Sequence, residues 1–254
     1  MALLSKLTWF DARKQFNSKN LALLPIGSTE QHGPHLPLGT DWLTAEWIAK
    51  KTEEKTDILL LPTISIGVSE HHRHFWGTLW VSPSTLKNYI IDVGKALKSH
   101  GISRLIIVNG HGGNNPALDE ACRELRLYDI FAFTYSWWLA IPDVLQKTIV
   151  TTGSHAGESE TSVMLNICPE GVVAERFEEG FKKGAPEWGL KIQGVTVGYD
   201  TIDFTQSGVA GNPTAASREK GEIILNASVE RLVEFISWLK SVSDESLKIK
   251  EHLP

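Results

Sequence analysis

The sequence is poor in cysteine: Cys122 and Cys168 are the only two among 254 residues. That excludes a disulfide framework and a Cys-rich zinc site. It lacks an excess of basic charge: 25 Lys plus Arg stand against 30 Asp plus Glu, a formal net charge of −5. A nucleic-acid-binding face has no electrostatic footprint in such a chain. No apolar run approaches the roughly 20 residues that span a bilayer. Met1–Phe10 holds a single base, Lys6, and no apolar core of a signal peptide, so a cytoplasmic location is the expectation. No repeat, low-complexity tract or linker interrupts the chain, and residues 1–254 read as one domain.

What is present is 42% hydrophobic residues arranged in short apolar runs that alternate with longer amphipathic stretches. That pattern predicts an α/β fold, a mainly parallel sheet flanked by helices. Strands are expected at Leu21–Gly27, Ile58–Ile66, Arg104–Gly110 and Ile130–Tyr135, whose continuous apolarity suits burial on both faces. Helices are expected at Asp41–Lys51, Pro83–His100, Pro116–Leu127, Gly157–Asn166 and Ser217–Val242. Ser82 and Asn115 stand as N-caps. The last helix should bury Ile223, Leu225, Val229, Leu232, Val233 and Ile236. Pro169–Pro213 is Gly-rich and aperiodic, and reads as loops with a hairpin.

Ligands of open α/β sheets bind beyond the carboxyl ends of the strands. After the first strand come Glu30, His32 and, nine residues on, Asp41 at the start of a helix. Residues i and i+2 of an extended segment point the same way, so Glu30 and His32 could serve one ion or two neighbours. After the third strand, His111 lies among Gly110, Gly112 and Gly113, which permit a tight turn and close approach to a ligand. Mixed His and carboxylate donors suit Zn, Mn or Fe(II) rather than Ca. A further cluster, His155 with Glu158 and Glu160, opens a helix. His155 could be a ligand or an acid/base, and the two glutamates diverge by about 200° around the helix, so one of them should face the site. Each residue alone has a plain structural reading: Asp41 as an N-cap, Glu158 and Glu160 as complements to the helix dipole. Their coincidence at two strand ends is what argues for a site. The stretch Glu70–Thr78 holds His71, His72 and His74. Adjacent His71 and His72 diverge in any regular structure, so this is read as a substrate-facing loop, or an exposed loop without a role, rather than a metal site. Ser69, His74 and Trp137 are the candidate substrate contacts; Trp137 and Trp138 read first as core or subunit interface and second as a wall or lid for a planar group.

The stretch Leu24–Asp41, LPIGSTEQHGPHLPLGTD, resembles the opening signature of the creatininase (creatinine amidohydrolase) family. Collinear matches follow at Phe75–Thr78 (FWGT), Asn109–Asn114 (NGHGGN), His155–Ser162 (HAGESETS) and Gly208–Ala216 (GVAGNPTAA). The resemblance implies a single α/β domain with two divalent metal ions per chain, hydrolysing non-peptide C–N bonds, as a homo-oligomer, often a hexamer. It implies that Glu30 and His111 bind one ion, that His32 binds the other, and that Asp41 bridges them. His155 would pass a proton to the leaving nitrogen. Creatininase proper has a tyrosine and a metal-binding glutamate where this chain has Gly112 and Gly113. Glu160 is the candidate replacement ligand and Glu158 the second. Whichever is not a ligand stands to accept the proton of the attacking water. The glycine-rich form resembles the formamidopyrimidine-nucleotide deformylases more than creatininase proper. The expected activity is hydrolysis of an amide, cyclic amide or formamide of a small molecule. The alternatives are creatinine hydrolysis itself, or a non-catalytic small-molecule binder with a vestigial metal site. Neither nucleic acid nor membrane is an expected partner.

Overall fold

The computed structural model describes residues 3–153 and 155–253. In chain order the elements are α1 (Trp9–Ser18), β1 (Leu21–Ile26), α2 (Thr40–Thr56), β2 (Leu59–Leu60), α3 (Pro83–Ser99), β3 (Arg104–Asn109), α4 (Asn115–Leu125) and β4 (Phe131–Ser136). There follow α5 (Trp137–Ala140), α6 (Pro142–Thr148), α7 (Glu158–Ile167), α8 (Phe177–Lys182), β5 (Leu190–Ile192), β6 (Val195–Gly198), α9 (Arg218–Ser241) and α10 (Asp244–Leu247). Strands β1 to β4 form one parallel sheet in the order β2-β1-β3-β4, and β5 with β6 forms a separate antiparallel hairpin.

Side chains of a strand alternate between faces, and here the alternation divides the core in two. Leu21, Leu23, Ile106 and Val108 pack with α2 and α9 on one face. Ala22, Leu24, Ile26, Leu105 and Ile107 pack with α3 and α4 on the other. The sheet is therefore covered on both sides, the arrangement that continuous apolar strands require. Ser82 caps α3 by accepting the Thr85 N–H. No described helix is long and apolar enough to cross a membrane.

Several boundaries differ from the sequence pattern. The expected strand over residues 58–66 shrinks to Leu59–Leu60. Pro62 has no N–H to give a ladder, and pairing resumes only as a single bridge between Ile26 and Ile64. Helix α2 runs on to Thr56, and α1 arises where no helix was expected. Asn115 is the first residue of α4 rather than its cap, and the preceding Asn114 makes no side-chain cap either. In α9, Leu225, Val229, Leu232 and Ile236 are buried as expected, but Ile224 is buried where Ile223 was expected, and Ile223 is half-exposed.

The carboxyl ends of β1 and β3 meet the start of α2. A Cβ at Gly27 would overlap the backbone of Trp42, and one at Gly110 would overlap the carbonyl of Asp41. The two glycines thus let the strand ends touch the helix backbone directly. Gly110→Ala should lower stability by about 1–3 kcal/mol in chemical denaturation, because this contact has no slack.

Candidate active site

Four chain segments converge beyond the sheet. The loop after β1 supplies Glu30 and His32, the first turn of α2 supplies Asp41, the turn after β3 supplies His111, and the start of α7 supplies Glu160 with His155 just before it. All but Glu160 are buried, and Glu160 is nearly so. Glu30 Oε2 lies 3.1 Å from His111 Nδ1, and Asp41 Oδ2 lies 3.0 Å from the same nitrogen. Asp41 Oδ1 lies 3.0 Å from His32 Nε2, and Glu160 Oε2 lies 3.8 Å from it. Asp41 thus turns one oxygen to each of two histidines.

The second nitrogen of each histidine is anchored on a backbone carbonyl. His111 Nε2 lies 3.0 Å from the Val68 carbonyl, and His32 Nδ1 lies 3.2 Å from that of Glu30. An N–H donated there leaves a lone pair on the nitrogen that faces the carboxylates, the tautomer a metal ligand needs. Glu30 Oε1 and Oε2, Asp41 Oδ2, His32 Nε2 and His72 Nε2 are buried without a hydrogen-bond partner. Such orphans are costly unless something neutralises them. The donor atoms gather as Glu30–Asp41–His111, His32–Asp41–Glu160 and Glu30–His32–His155, each set within 4.8 Å. The donor chemistry and the orphaned atoms fit divalent cations.

The electrostatics of the bare protein describe the same clustering. Burial works against ionisation of Glu30, yet His111 and His72 outweigh it and hold the carboxyl well below its usual range. Burial opposes charge on His32, but Asp41 and Glu160 raise it to about 10. His111 is raised in the same way by Glu30 and Asp41, against burial. His155 is pushed the other way, by burial first and then by His32 and His72, and is held neutral. Burial, reinforced by Asp41 and Glu30, lifts Glu160 to about 7.

Local backbone structure aims His155. Its N–H and C=O pair with Ala210 in a two-residue antiparallel bridge. Ala156 then turns through the left-handed region at φ 50°, and its N–H donates to Glu160. A non-glycine residue held in that region is a strained position that the surroundings must enforce.

A cavity of about 700 Å³ opens above the cluster, walled by Trp137, Trp138, Trp188, Tyr199 and Phe204. Trp137 is buried and lines this cavity. Ser69 and His74 do not line the cavity. Ser69 is fully buried, accepts from Ser28 and donates to the Leu79 carbonyl, so it anchors its loop. His74 is half-exposed and lies 3.9 Å from Asp200. Glu158 is also not brought to the cluster. Its carboxylate accepts from the Val150 and Thr151 N–H groups, the Thr151 hydroxyl and Lys220. It holds the loop that leads to His155 instead of facing the cavity.

His72 is the main residue that pattern reading set aside. A one-turn 3-10 helix over Glu70–His72 buries it, with Nε2 3.2 Å from Glu30 Oε1. His71 lies on the cavity wall, its ring stacked on His111 at 5.7 Å. The two rings do not diverge: their centroids lie 4.3 Å apart, and both reach the site. Trp188, Tyr199 and Phe204 come from the aperiodic segment, where no periodicity marks them. A Cβ at Gly113 would overlap the Val68 carbonyl and the His111 ring. No larger side chain fits there without displacing the carbonyl that anchors His111.

The profile of the creatininase family, creatinine amidohydrolase, matches residues 5–236. The chain belongs to the creatininase family. It is 34% identical over 212 residues to the mycofactocin precursor peptide peptidase of Mycolicibacterium smegmatis, covering 80% of this chain and 79% of that one. It is 32% identical over 156 residues to the 2-amino-5-formylamino-6-ribosylaminopyrimidin-4(3H)-one 5'-monophosphate deformylase of Methanobrevibacter ruminantium, covering 59% and 60%. A solved creatininase variant of the Zn-Zn type superimposes with a TM-score of 0.79 at 27% identity, covering 94% of this chain and 98% of the other. As a creatininase-family protein the chain is an amidohydrolase, a hydrolase of C–N bonds, with a candidate metal-binding cluster at its strand ends.

Glu158 and Glu160 should separate experimentally. Glu158→Gln should leave the metal content of the purified protein unchanged and lower its stability by about 1–3 kcal/mol, since a charged acceptor of several hydrogen bonds is lost. Glu160→Gln should lower metal content. Elemental analysis beside denaturant titration checks both.

Proposed function

We infer that this creatininase-family chain hydrolyses an amide, cyclic amide or formamide of a small molecule at a two-metal centre. The observation that carries the reading is Asp41, whose two oxygens each stand 3.0 Å from a different histidine. Glu30, Asp41 and His111 would hold one ion, and His32, Asp41 and Glu160 the other. Two divalent cations there would polarise the substrate carbonyl and lower the pKa of a water between them. Zn, Mn and Fe(II) all accept these donors, and the Zn-Zn relative supports zinc.

The chain's own groups supply the rest. His155 is neutral in its buried setting and faces the cluster with Nδ1, 3.9 Å from Glu30 Oε1. It takes up the proton released as the tetrahedral centre forms and delivers it to the departing nitrogen, so that an amine leaves uncharged. Trp137 and Trp138 offer flat apolar faces to a planar substrate. Gly112 leaves open the space beside it where creatininase proper has a tyrosine, and Gly113 admits no glutamate, which together favour a substrate other than creatinine.

A second reading has one specific support. A cavity of about 700 Å³ exceeds what a creatinine-sized ring fills and lies within the range of drug-sized ligands. Together with the peptidase relative, it favours trimming of a short peptide as the alternative. A homo-oligomer, hexameric by family analogy, completes the proposal. Trp76, 98% exposed, is a side chain that assembly would cover.

Elemental analysis of protein expressed with Zn, Mn and Fe should find about two ions per chain. One ion would replace the dinuclear reading with a mononuclear one, and none after reconstitution would favour a binding protein. His111→Ala should lose metal and turnover together. His155→Ala should keep its metal while kcat falls by about 10²–10⁴. An active His155→Ala enzyme removes the role given to that residue. Screening should set formamides and cyclic amides, creatinine included, against short peptides.

A further inference from the structure

Gln31 lies between the two first ligands of the loop after β1 and is buried. Its carboxamide orientation follows from its neighbours. Oε1 accepts the Gly33 N–H at 2.9 Å, so Nε2 is the atom that faces the Gly208 carbonyl at 3.1 Å. The same Nε2 lies 2.8 Å from His72 Nδ1 and 2.9 Å from His155 Nε2. An amide nitrogen has two hydrogens. The Gly208 carbonyl takes one, so a single hydrogen remains for two imidazoles.

The remaining partners decide between them. His155 Nε2 also lies 2.9 Å from the Gln31 backbone carbonyl, which can only accept. His72 Nε2 lies 3.2 Å from Glu30 Oε1, which accepts when ionised. If the Gln31 hydrogen went to His155, a lone pair on His155 Nε2 would face the Gln31 carbonyl. His72 Nδ1 would then have only the Thr201 hydroxyl at 3.0 Å as a donor, or would carry the hydrogen itself and set a second lone pair against Glu30. At least one acceptor pair, at His155, would face another in a buried site. If the hydrogen goes to His72, no lone pair is set against another. His155 Nε2–H donates to the Gln31 carbonyl, Gln31 donates to His72 Nδ1, and the hydrogen on His72 Nε2 is turned towards Glu30 Oε1 at 3.2 Å, a close contact outside hydrogen-bond geometry.

We propose that Gln31 is a positioning residue that sets the hydrogen positions of both rings, through its amide for His72 and its carbonyl for His155. His155 then presents a bare Nδ1 to the cluster, and His72 turns its Nε2–H rather than a lone pair towards Glu30, so that it is not a ligand. Residues that orient metal ligands commonly work in this way. The catalytic meaning of the bare Nδ1 rests on the reading of His155 as the proton carrier; the hydrogen positions do not.

Long-range proton–nitrogen correlation spectra of zinc-loaded, ¹⁵N-histidine-labelled protein test this, with His72→Gln and His155→Gln for assignment. Both rings of the wild type should show the Nε2–H pattern. Gln31→Glu, read above the pH at which that carboxyl ionises, places an acceptor oxygen against His72 Nδ1, so His72 should gain a hydrogen on Nδ1. Thr201→Val should leave His72 in its wild-type form. The proposal is overturned by a wild-type His155 with Nδ1–H and a bare Nε2, by a wild-type His72 with hydrogen on Nδ1, by a Gln31→Glu protein whose His72 keeps only Nε2–H, or by a Thr201→Val protein whose His72 changes form. Should Gln31→Glu fail to fold, the wild-type and Thr201→Val spectra still decide. An active His155→Ala enzyme would remove the proton-carrier reading and leave these spectra unaffected.

Discussion

Glu30 and Asp41 place two carboxylates inside the molecule, both within about 3 Å of one nitrogen of His111. Like charges buried this close repel, and burial itself penalises each of them. The arrangement persists only with positive charge between the groups, whether from protonated histidines or from cations. Much of the surrounding structure serves that constraint. Parallel strands deliver their carboxyl ends to one edge, and Gly27 and Gly110 let the start of α2 come into contact with them. Backbone carbonyls of Val68 and Glu30 hold His111 and His32 in the orientation that turns a nitrogen inward.

Around that centre the work is divided between rigid and adaptable parts. The clustered donors sit on strand ends and helix starts, where the packed sheet allows little movement. His155 comes from a loop, but the loop is tied at both sides, by the Ala210 bridge and by the Glu158–Lys220 contact. Glu158 therefore acts on the site from outside it. The cavity walls come from elements of another kind: the short helix after β4 and the segment around the β5–β6 hairpin. Leu190, Ile192, Val195 and Val197 of that hairpin are exposed, and a two-stranded hairpin has little stability of its own. Chemistry and substrate fit thus reside in parts of the fold that can vary separately.

The glycines after His111 show how one change propagates. A side chain at Gly113 would disturb the Val68 carbonyl that orients His111. With that place closed, a carboxylate for the far side of the cluster has to arrive from elsewhere, and Glu160 approaches from the first turn of α7. Its neighbour Glu158, two positions earlier, is directed to Lys220 by the helical rotation between them.

The sequence by itself determined the layered α/β fold, because short continuous apolar runs such as Leu21–Ile26, alternating with longer amphipathic stretches, suit strands covered on both faces by helices. It also determined which strand ends carry Glu30, His32, Asp41 and His111, since these follow directly from chain order. Only the tertiary structure decided which members of each cluster turn inward. His72 and His71 are adjacent, as are Ser69 and Glu70, and no periodicity distinguishes the useful from the idle in a one-turn helix or an aperiodic loop. The same holds for Trp188, Tyr199 and Phe204, and for Gln31, whose neighbours Gly208, His72 and His155 are remote in sequence. Local pattern reports the period of a strand or helix. Convergence of distant loops depends on packing across the whole sheet, which that pattern does not encode.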